Sequence, residues 1–180
     1  RDIYSANKSV SEKYVLIYSE AHHLDTTVIR FPNIYGPRAS IHSPEFTFNN
    51  YFIGLALQDR EISIFGDGKQ KRNLIYVEDA VEALIAAATN PISRGEIYFA
   101  VGDEHFSIAE IAQQIITASG KGRMRLVPWP PQRKATEIGD AILSNNKIKQ
   151  SLSWRPCTAF SLGLEKTVNY YNTCLERYLK

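Results

Sequence analysis

Apolar positions recur at three- and four-residue steps over residues 9–22, where Val10, Tyr14, Ile17, Tyr18 and Ala21 share one face, so this stretch predicts a helix. The period then changes. Thr27-Val28-Ile29-Arg30-Phe31 is β-branched and aromatic, the pattern of a strand, and Pro32 ends it. Residues 33–38 read as a loop punctuated by Gly36 and Pro37. Helical spacing returns over 46–57, and 61–65 alternates as a strand does. Gly66-Asp67-Gly68-Lys69 predicts a tight turn, and 73–77 a second short strand. Residues 78–89 are Ala-rich with acids in the first turn, where the helix dipole favours them.

Residues 97–101 predict a further strand. Ser107 with Glu110 three positions on is a capping box, opening a helix that Gly120 closes. Residues 124–127 read as a strand, and Pro128, Pro130 and Pro131 predict an extended surface loop, with Trp129 among them as an interface or lid element. A short helix over 145–152 and an amphipathic one over 161–175 close the chain, the latter carrying Tyr170 and Tyr171 as packing surface. Alternating strands and helices predict an α/β or α+β fold.

Composition narrows the function classes. The chain has 180 residues, 44% hydrophobic and 22% charged, which is ordinary globular usage and excludes disorder, collagen and coiled coil. No apolar run approaches the roughly 20 residues of a membrane helix. A net charge of +2 gives no electrostatic case for nucleic acid or a membrane surface. Arg1-Asp2-Ile3-Tyr4 lacks the apolar core of a signal peptide, and two cysteines, Cys157 and Cys174, fit a reducing compartment. The expected location is cytoplasmic. His22-His23 reads as a helix end, and no His, Cys or acidic cluster has metal-ligand spacing, so no metal is expected. Gly66-Asp67-Gly68 is followed by a strand where a phosphate-binding motif needs a helix.

Tyr4-Ser5-Ala6-Asn7-Lys8 sets a phenol and an ammonium four positions apart, one face of a helix. A free tyrosine, with a pKa of about 10, is a poor base at neutral pH. A nearby cation favours the phenolate, and such a pair can take a proton from a sugar hydroxyl. The pattern alone is equally that of an ordinary surface pair.

In context it resembles the Tyr-x-x-x-Lys of the extended short-chain dehydrogenase/reductase family, the NAD-dependent nucleotide-sugar epimerases and dehydratases. Three further stretches match in order. They are Arg30-Phe31-Pro32-Asn33-Ile34-Tyr35-Gly36-Pro37-Arg38, then Phe65-Gly66-Asp67-Gly68 leading to Lys71-Arg72-Asn73-Leu74-Ile75-Tyr76-Val77-Glu78-Asp79, and Leu152-Ser153-Trp154-Arg155-Pro156. The sequence departs from the family with Asn73 in place of an acidic partner of the arginine, Ser153 in place of glycine, and Ser144 in place of an aspartate.

The resemblance implies the C-terminal remnant of a Rossmann-like parallel sheet plus a small α+β substrate-binding domain. Residues 1–38 would be the remnant of the NAD-binding domain and 39–180 the nucleotide-sugar-binding domain. It implies Tyr4 as acid/base and Lys8 on the nicotinamide ribose, with Phe31 and Pro32 beneath the nicotinamide. On the substrate it implies Asn33 at the phosphate or sugar, and Thr47 and Phe48 as nucleotide contacts. Phe65 would lie near the base and Arg72 on the diphosphate, with Arg133 or Lys134 as a second cation and Glu137 at the ribose. From the residues alone, Phe31 and Phe48 are equally core positions, Asn33 a turn residue and Arg72 a solvent-facing strand residue. A guanidinium fork suits phosphate oxygens, whereas lysine is a point charge.

The implied activity is 4-epimerisation of a nucleotide-diphospho-sugar through a 4-keto sugar. A 4,6-dehydratase or decarboxylase begins with the same oxidation. A non-catalytic nucleotide-sugar-binding module is the alternative from another class. No Gly-x-x-Gly-x-x-Gly follows a strand, so the NAD site is expected to be incomplete. The chain is then expected to be the C-terminal half of a longer enzyme, partnered by its N-terminal half and by a second copy in a homodimer.

Overall fold

The computed structural model describes residues 3–179; Arg1, Asp2 and Lys180, the first two of them part of the leader reading, lie outside the described residues. Helix α1 spans Ile3–His22. It begins upstream of the predicted start at Ser9, so Tyr4 and Lys8 are helical residues and not a lead-in. No residue of α1 is buried: its apolar face, including Tyr14 at 62% and Ile17 at 58%, is open.

Strand β1 (Val28–Arg30) pairs in parallel with β5 (Ile97–Phe99). Residues 33–35, predicted as loop, form strand β2 (Asn33–Tyr35), which pairs in parallel with β4 (Lys71–Tyr76). The reason is Pro32, which has no N–H to continue the ladder with β5. The chain shifts there onto a new neighbour. Strand β6 (His105–Ser107) joins the other edge of β4 antiparallel. Strand β3 (Glu61–Phe65) pairs in parallel with β7 (Arg123–Val127), and Gly66 and Gly68 take the positive φ values of 70° and 67° that the turn after β3 requires.

The remaining helices are α2 (Phe48–Leu57), α3 (Val77–Thr89), α4 (Ile108–Ser119), α5 (Pro131–Thr136), α6 (Asn146–Leu152) and α7 (Phe160–Asn172). The capping box is present: Ser107 Oγ accepts from Glu110 N, Glu110 Oε2 accepts from Ser107 N, and Gly120 closes α4 with φ 64°. The predicted extended loop through the prolines is a helix from Pro131 onward. Proline suits the first helical position, where its missing N–H has no intrahelical partner to lose.

Two apolar clusters hold these elements. The first buries Phe52 and Ile53 of α2 against Ile111 of α4 and Leu164 of α7, with Ile64 of β3 beneath. Helix α2 passes so close to the 41 carbonyl that a Cβ at Gly54 would stand 2.0 Å from Ile41 O. The second cluster joins Ala80, Ala83 and Ala87 of α3 to Tyr98, Ile148 and Trp154, with Ile29, Phe31 and Ile34 packed on it.

Asp79 ties the second cluster to the segment before α7. Its carboxylate accepts from the backbone N–H of Cys157 and of Thr158, both at 3.0 Å, and its carbonyl accepts from Trp154 Nε1 at 3.1 Å. Only 6% of Asp79 is exposed, so Asp79→Ala strands two amides in a poorly hydrated place. The expected cost is about 2–3 kcal/mol, read as a lower urea midpoint for the 180-residue chain at unchanged m. A midpoint equal to wild type would contradict this role.

Candidate functional site

A cavity of about 490 Å³ lies along β3, lined there by Glu61, Ser63, Ile64 and Phe65. Helix α2 supplies Phe48 and Tyr51 to one wall, β3 supplies Phe65, β4 supplies Arg72, and the segment through α5 supplies Trp129, Arg133 and Glu137. Five residues singled out in the sequence thus meet in one place: Phe48, Phe65, Arg72, Arg133 and Glu137. Phe48 also packs edge-on against Phe52 at 5.4 Å, so it is both a core and a cavity residue.

Part of the lining is aromatic. Phe65 and Trp129 lie with ring centroids 5.5 Å apart and planes tilted by 41°. Part of it is charged. Arg72 sits on β4 with 15% of its side chain exposed, and its Nη2 donates to Glu137 Oε1 at 2.9 Å. Its Nη1 donates to the carbonyls of Lys71 and Gly139. Glu137 Oε1 also accepts from the backbone N–H of Ile138 and Gly139, at 3.0 and 2.9 Å. Glu137 Oε2 has no hydrogen-bond partner among the described residues. Arg133 is exposed and makes no ion pair among the described residues.

Asn73, which stands where the family has an acid, does not pair with Arg72. It is buried, donates to the carbonyls of Gly102 and Glu104, and accepts from Leu143 N at 2.7 Å. It anchors the strap that carries Glu137. Lys71 N donating to Asp140 Oδ1, and Ala141 N to Lys71 O, fasten the same strap to β4.

Other candidate residues lie elsewhere. Lys134 is exposed on α5 and does not line the cavity. Thr47 precedes α2, and its Oγ1 accepts from Asn50 Nδ2 at 2.6 Å instead of capping the helix. Asn33 opens β2 opposite Leu74, outside the cavity. Trp129, Tyr51, Ser63 and Gln70 line the cavity without having been singled out as site residues. Asn49 and Asn50 are buried beside β2. Their Nδ2 groups donate to Ile34 O, and both Oδ1 atoms lack a partner among the described residues.

Tyr4 and Lys8 form a separate surface. Lys8 Nζ stands 5.6 Å from the Tyr4 ring centroid, and Tyr4 is 70% exposed. Arg30, at the end of β1, binds Glu12 of α1 through Nε at 2.8 Å, and that guanidinium holds the Glu12 carboxyl below its ordinary range. The contact ties α1 to β1. Phe31 and Pro32, just past the end of β1, are half-buried. No group of three or more His, Cys, Asp or Glu that could hold a metal ion occurs among the described residues. No helix of the described residues is long and apolar enough to cross a membrane.

Comparison with known proteins agrees with this architecture. A sequence profile described as the NAD dependent epimerase/dehydratase family matches residues 1–102. The chain is 33% identical over 175 residues to the UDP-N-acetyl-alpha-D-glucosaminuronate decarboxylase of Bacillus cytotoxicus, covering 93% of this chain and 52% of that one. It is 30% identical over 171 residues to the UDP-glucose 4-epimerase of Mycolicibacterium smegmatis, with 93% and 52% covered. A solved dTDP-glucose 4,6-dehydratase from Bacillus anthracis, in complex with NAD, superposes with a TM-score of 0.84 at 25% identity, covering 100% of this chain and 56% of that one. The chain spans about half the length of the curated relatives it matches.

Proposed function

This chain belongs to the NAD dependent epimerase/dehydratase family, and from that premise we propose that it is the nucleotide-sugar-binding part of a NAD-dependent 4-epimerase. The observation that carries the reading is one cavity whose lining combines the Phe65 and Trp129 rings with the Arg72 and Arg133 guanidiniums. A nucleoside diphosphate presents the complementary groups: a flat base, a ribose and two anionic phosphates. Arg72 uses three donor contacts on Lys71, Gly139 and Glu137 and has five N–H groups, so two are left for phosphate oxygens. Arg133 brings a second, unpaired fork, and Lys134 a further positive charge outside the cavity. Glu137 offers Oε2 to a ribose hydroxyl while Oε1 is held in place. Asn33, Thr47 and Phe48 complete the substrate side.

On the cofactor side, Tyr4, Lys8, Phe31 and Pro32 would hold the nicotinamide riboside of NAD. When bound, NAD accepts a hydride from carbon 4 of the sugar and returns it. Tyr4 removes the proton of the 4-hydroxyl and later gives it back to the 4-keto oxygen. Lys8 positions the ribose and presents its charge to the phenol. Phe31 and Pro32 exclude water from one face.

The reading divides the chain at residue 38, with the cofactor-domain remnant before it and the nucleotide-sugar domain after it. The second apolar cluster, which packs Ile29, Phe31 and Ile34 on α3, is the seam between them. The exposed face of α1 suits a homodimer contact, and two free cysteines suit the cytoplasm.

The test follows carbon 4 of a UDP-hexose by NMR while the complete enzyme turns over with NAD. The expected result is conversion to the 4-epimer. Loss of the 6-hydroxyl would replace the epimerase by a dehydratase, and release of carbon dioxide from a UDP-hexuronate run in parallel would replace it by a decarboxylase, the activities of the relatives named above. No change at carbon 4 would remove the reading.

A further inference from the structure

Trp129 lines the cavity beside Phe65 and is closely constrained there. It lies between Pro128 and Pro130, whose ring-locked φ angles leave the backbone little room to swing. The β3–β7 ladder continues to Gly66, whose N–H donates to Val127 O at 2.8 Å, so the two strand ends are fixed relative to each other. The indole then lies directly over Gly66. A Cβ at position 66 would stand 2.3 Å from Trp129 Nε1 and 2.8 Å from Cδ1. Gly66 therefore serves the turn through its positive φ and serves Trp129 through its missing side chain. The indole N–H has no hydrogen-bond partner among the described residues, although Trp129 is half-buried. The N–H is not sealed in the interior, so it is open to a ligand as it is to water.

We propose that Trp129 is a nucleotide-recognition residue: with Phe65 it forms a fixed aromatic corner that takes the base of a nucleoside diphosphate, and its indole N–H is offered to that ligand. The inference rests on the reading of this cavity as a nucleoside-diphosphate site. The rings are 5.5 Å apart, too close to admit a base between them, so the base lies against the corner and not in a sandwich. Stacking there is tolerant of base identity, because every base has a π-face. Selectivity among bases would come from the N–H. Phe65 and Trp129 would take the base and Arg72 the phosphates, so base and phosphate contacts fall on two groups of residues.

The chain suits a direct test, because it has two tryptophans and the other, Trp154, is 6% exposed with its N–H bound to Asp79 O. The 180-residue chain is titrated with UDP and, separately, with inorganic pyrophosphate, reading both heat and tryptophan fluorescence. UDP is expected to bind with a change in fluorescence, and pyrophosphate to bind without one. Trp129→Phe is expected to abolish the fluorescence change and keep UDP affinity within a few-fold. Trp129→Ala is expected to weaken UDP about tenfold or more and leave pyrophosphate unaltered. If UDP binds the wild type but Trp129→Ala weakens UDP and pyrophosphate equally or neither, the role of Trp129 is overturned and the site reading stands. A fluorescence change that survives in Trp129→Phe overturns it likewise. If UDP does not bind the wild type, the site reading fails and this inference falls with it. Thermal unfolding of Trp129→Phe at the wild-type midpoint shows that the fold is kept.

Discussion

Tyr4→Phe in the complete enzyme is expected to lower kcat by about 10²–10⁴-fold, the usual size of a general acid–base contribution. The KM for the nucleotide-sugar should stay within about twofold, because a uniform loss of binding is not what a missing proton carrier produces. The structure makes the substitution clean. Tyr4 is 70% exposed, so no core is disturbed. Lys8 Nζ keeps a ring to stand over, since phenylalanine retains the aromatic face that lies 5.6 Å from the ammonium. The proposed nucleotide-sugar contacts sit on β2, β3, β4, α2 with Thr47 before it, and the segment from α5 to Glu137, none of them on α1. Retained turnover in Tyr4→Phe would refute its role. A large rise in KM at unchanged kcat would assign it to binding instead.

Arg72→Lys is the second large effect, and it should appear in binding. The guanidinium already serves Glu137 and two carbonyls, and the proposed phosphate contacts use what remains of the fork. An ammonium has three donors and no fixed plane, so it cannot serve the strap and the ligand together. The expected rise in KM for the nucleotide-sugar is about 10–100-fold, the worth of one or two charge-assisted hydrogen bonds. Turnover at saturation should change far less. The fold should survive, because the strap keeps its other ties: Lys71 N to Asp140 Oδ1 at 2.8 Å and Leu143 N to Asn73 Oδ1 at 2.7 Å. Steady-state kinetics together with a melting curve separate these outcomes. An unchanged KM would take Arg72 out of the site.

The same ties explain what the sequence could and could not reveal. Helices and the longer strands are legible because each is long enough to show a period: β3 is predicted residue for residue, and Ser107 with Glu110 marks the start of α4. Strands β2 and β6 are no shorter than β1 and β5, but they carry polar residues (Asn33, His105, Ser107) where β1 and β5 open on Val28-Ile29 and Ile97-Tyr98, and they exist because β4 offers them two free edges. Helix α5 hides behind prolines that look like loop residues but suit a first helical turn.

The site divides in the same way. Arg72 stands out as a charge in an apolar strand, and Phe65 as an aromatic before a glycine turn. The Glu137–Arg72 pair is not encoded by any spacing, being 65 residues apart in the chain. Asn73 looks like a lost acid until its side chain is seen holding three backbone groups. Trp129 has no periodic context at all, and only its packing over Gly66 gives it a place. Asn49 and Asn50 lie in a helix that is buried nearly all round, which a polar pair in the sequence does not suggest.

The measurement that bears most directly on this account is calorimetric titration of the 180-residue chain with UDP and with NAD in separate experiments. The cavity beside Arg72 is lined by residues of this chain, whereas the proposed nicotinamide contacts, Tyr4, Lys8, Phe31 and Pro32, would hold only one side of the cofactor. The account predicts saturable UDP binding, on the order of micromolar, that Arg72→Ala weakens sharply, and no saturable heat with NAD. Micromolar NAD binding without UDP binding, or UDP binding indifferent to Arg72→Ala, would contradict it.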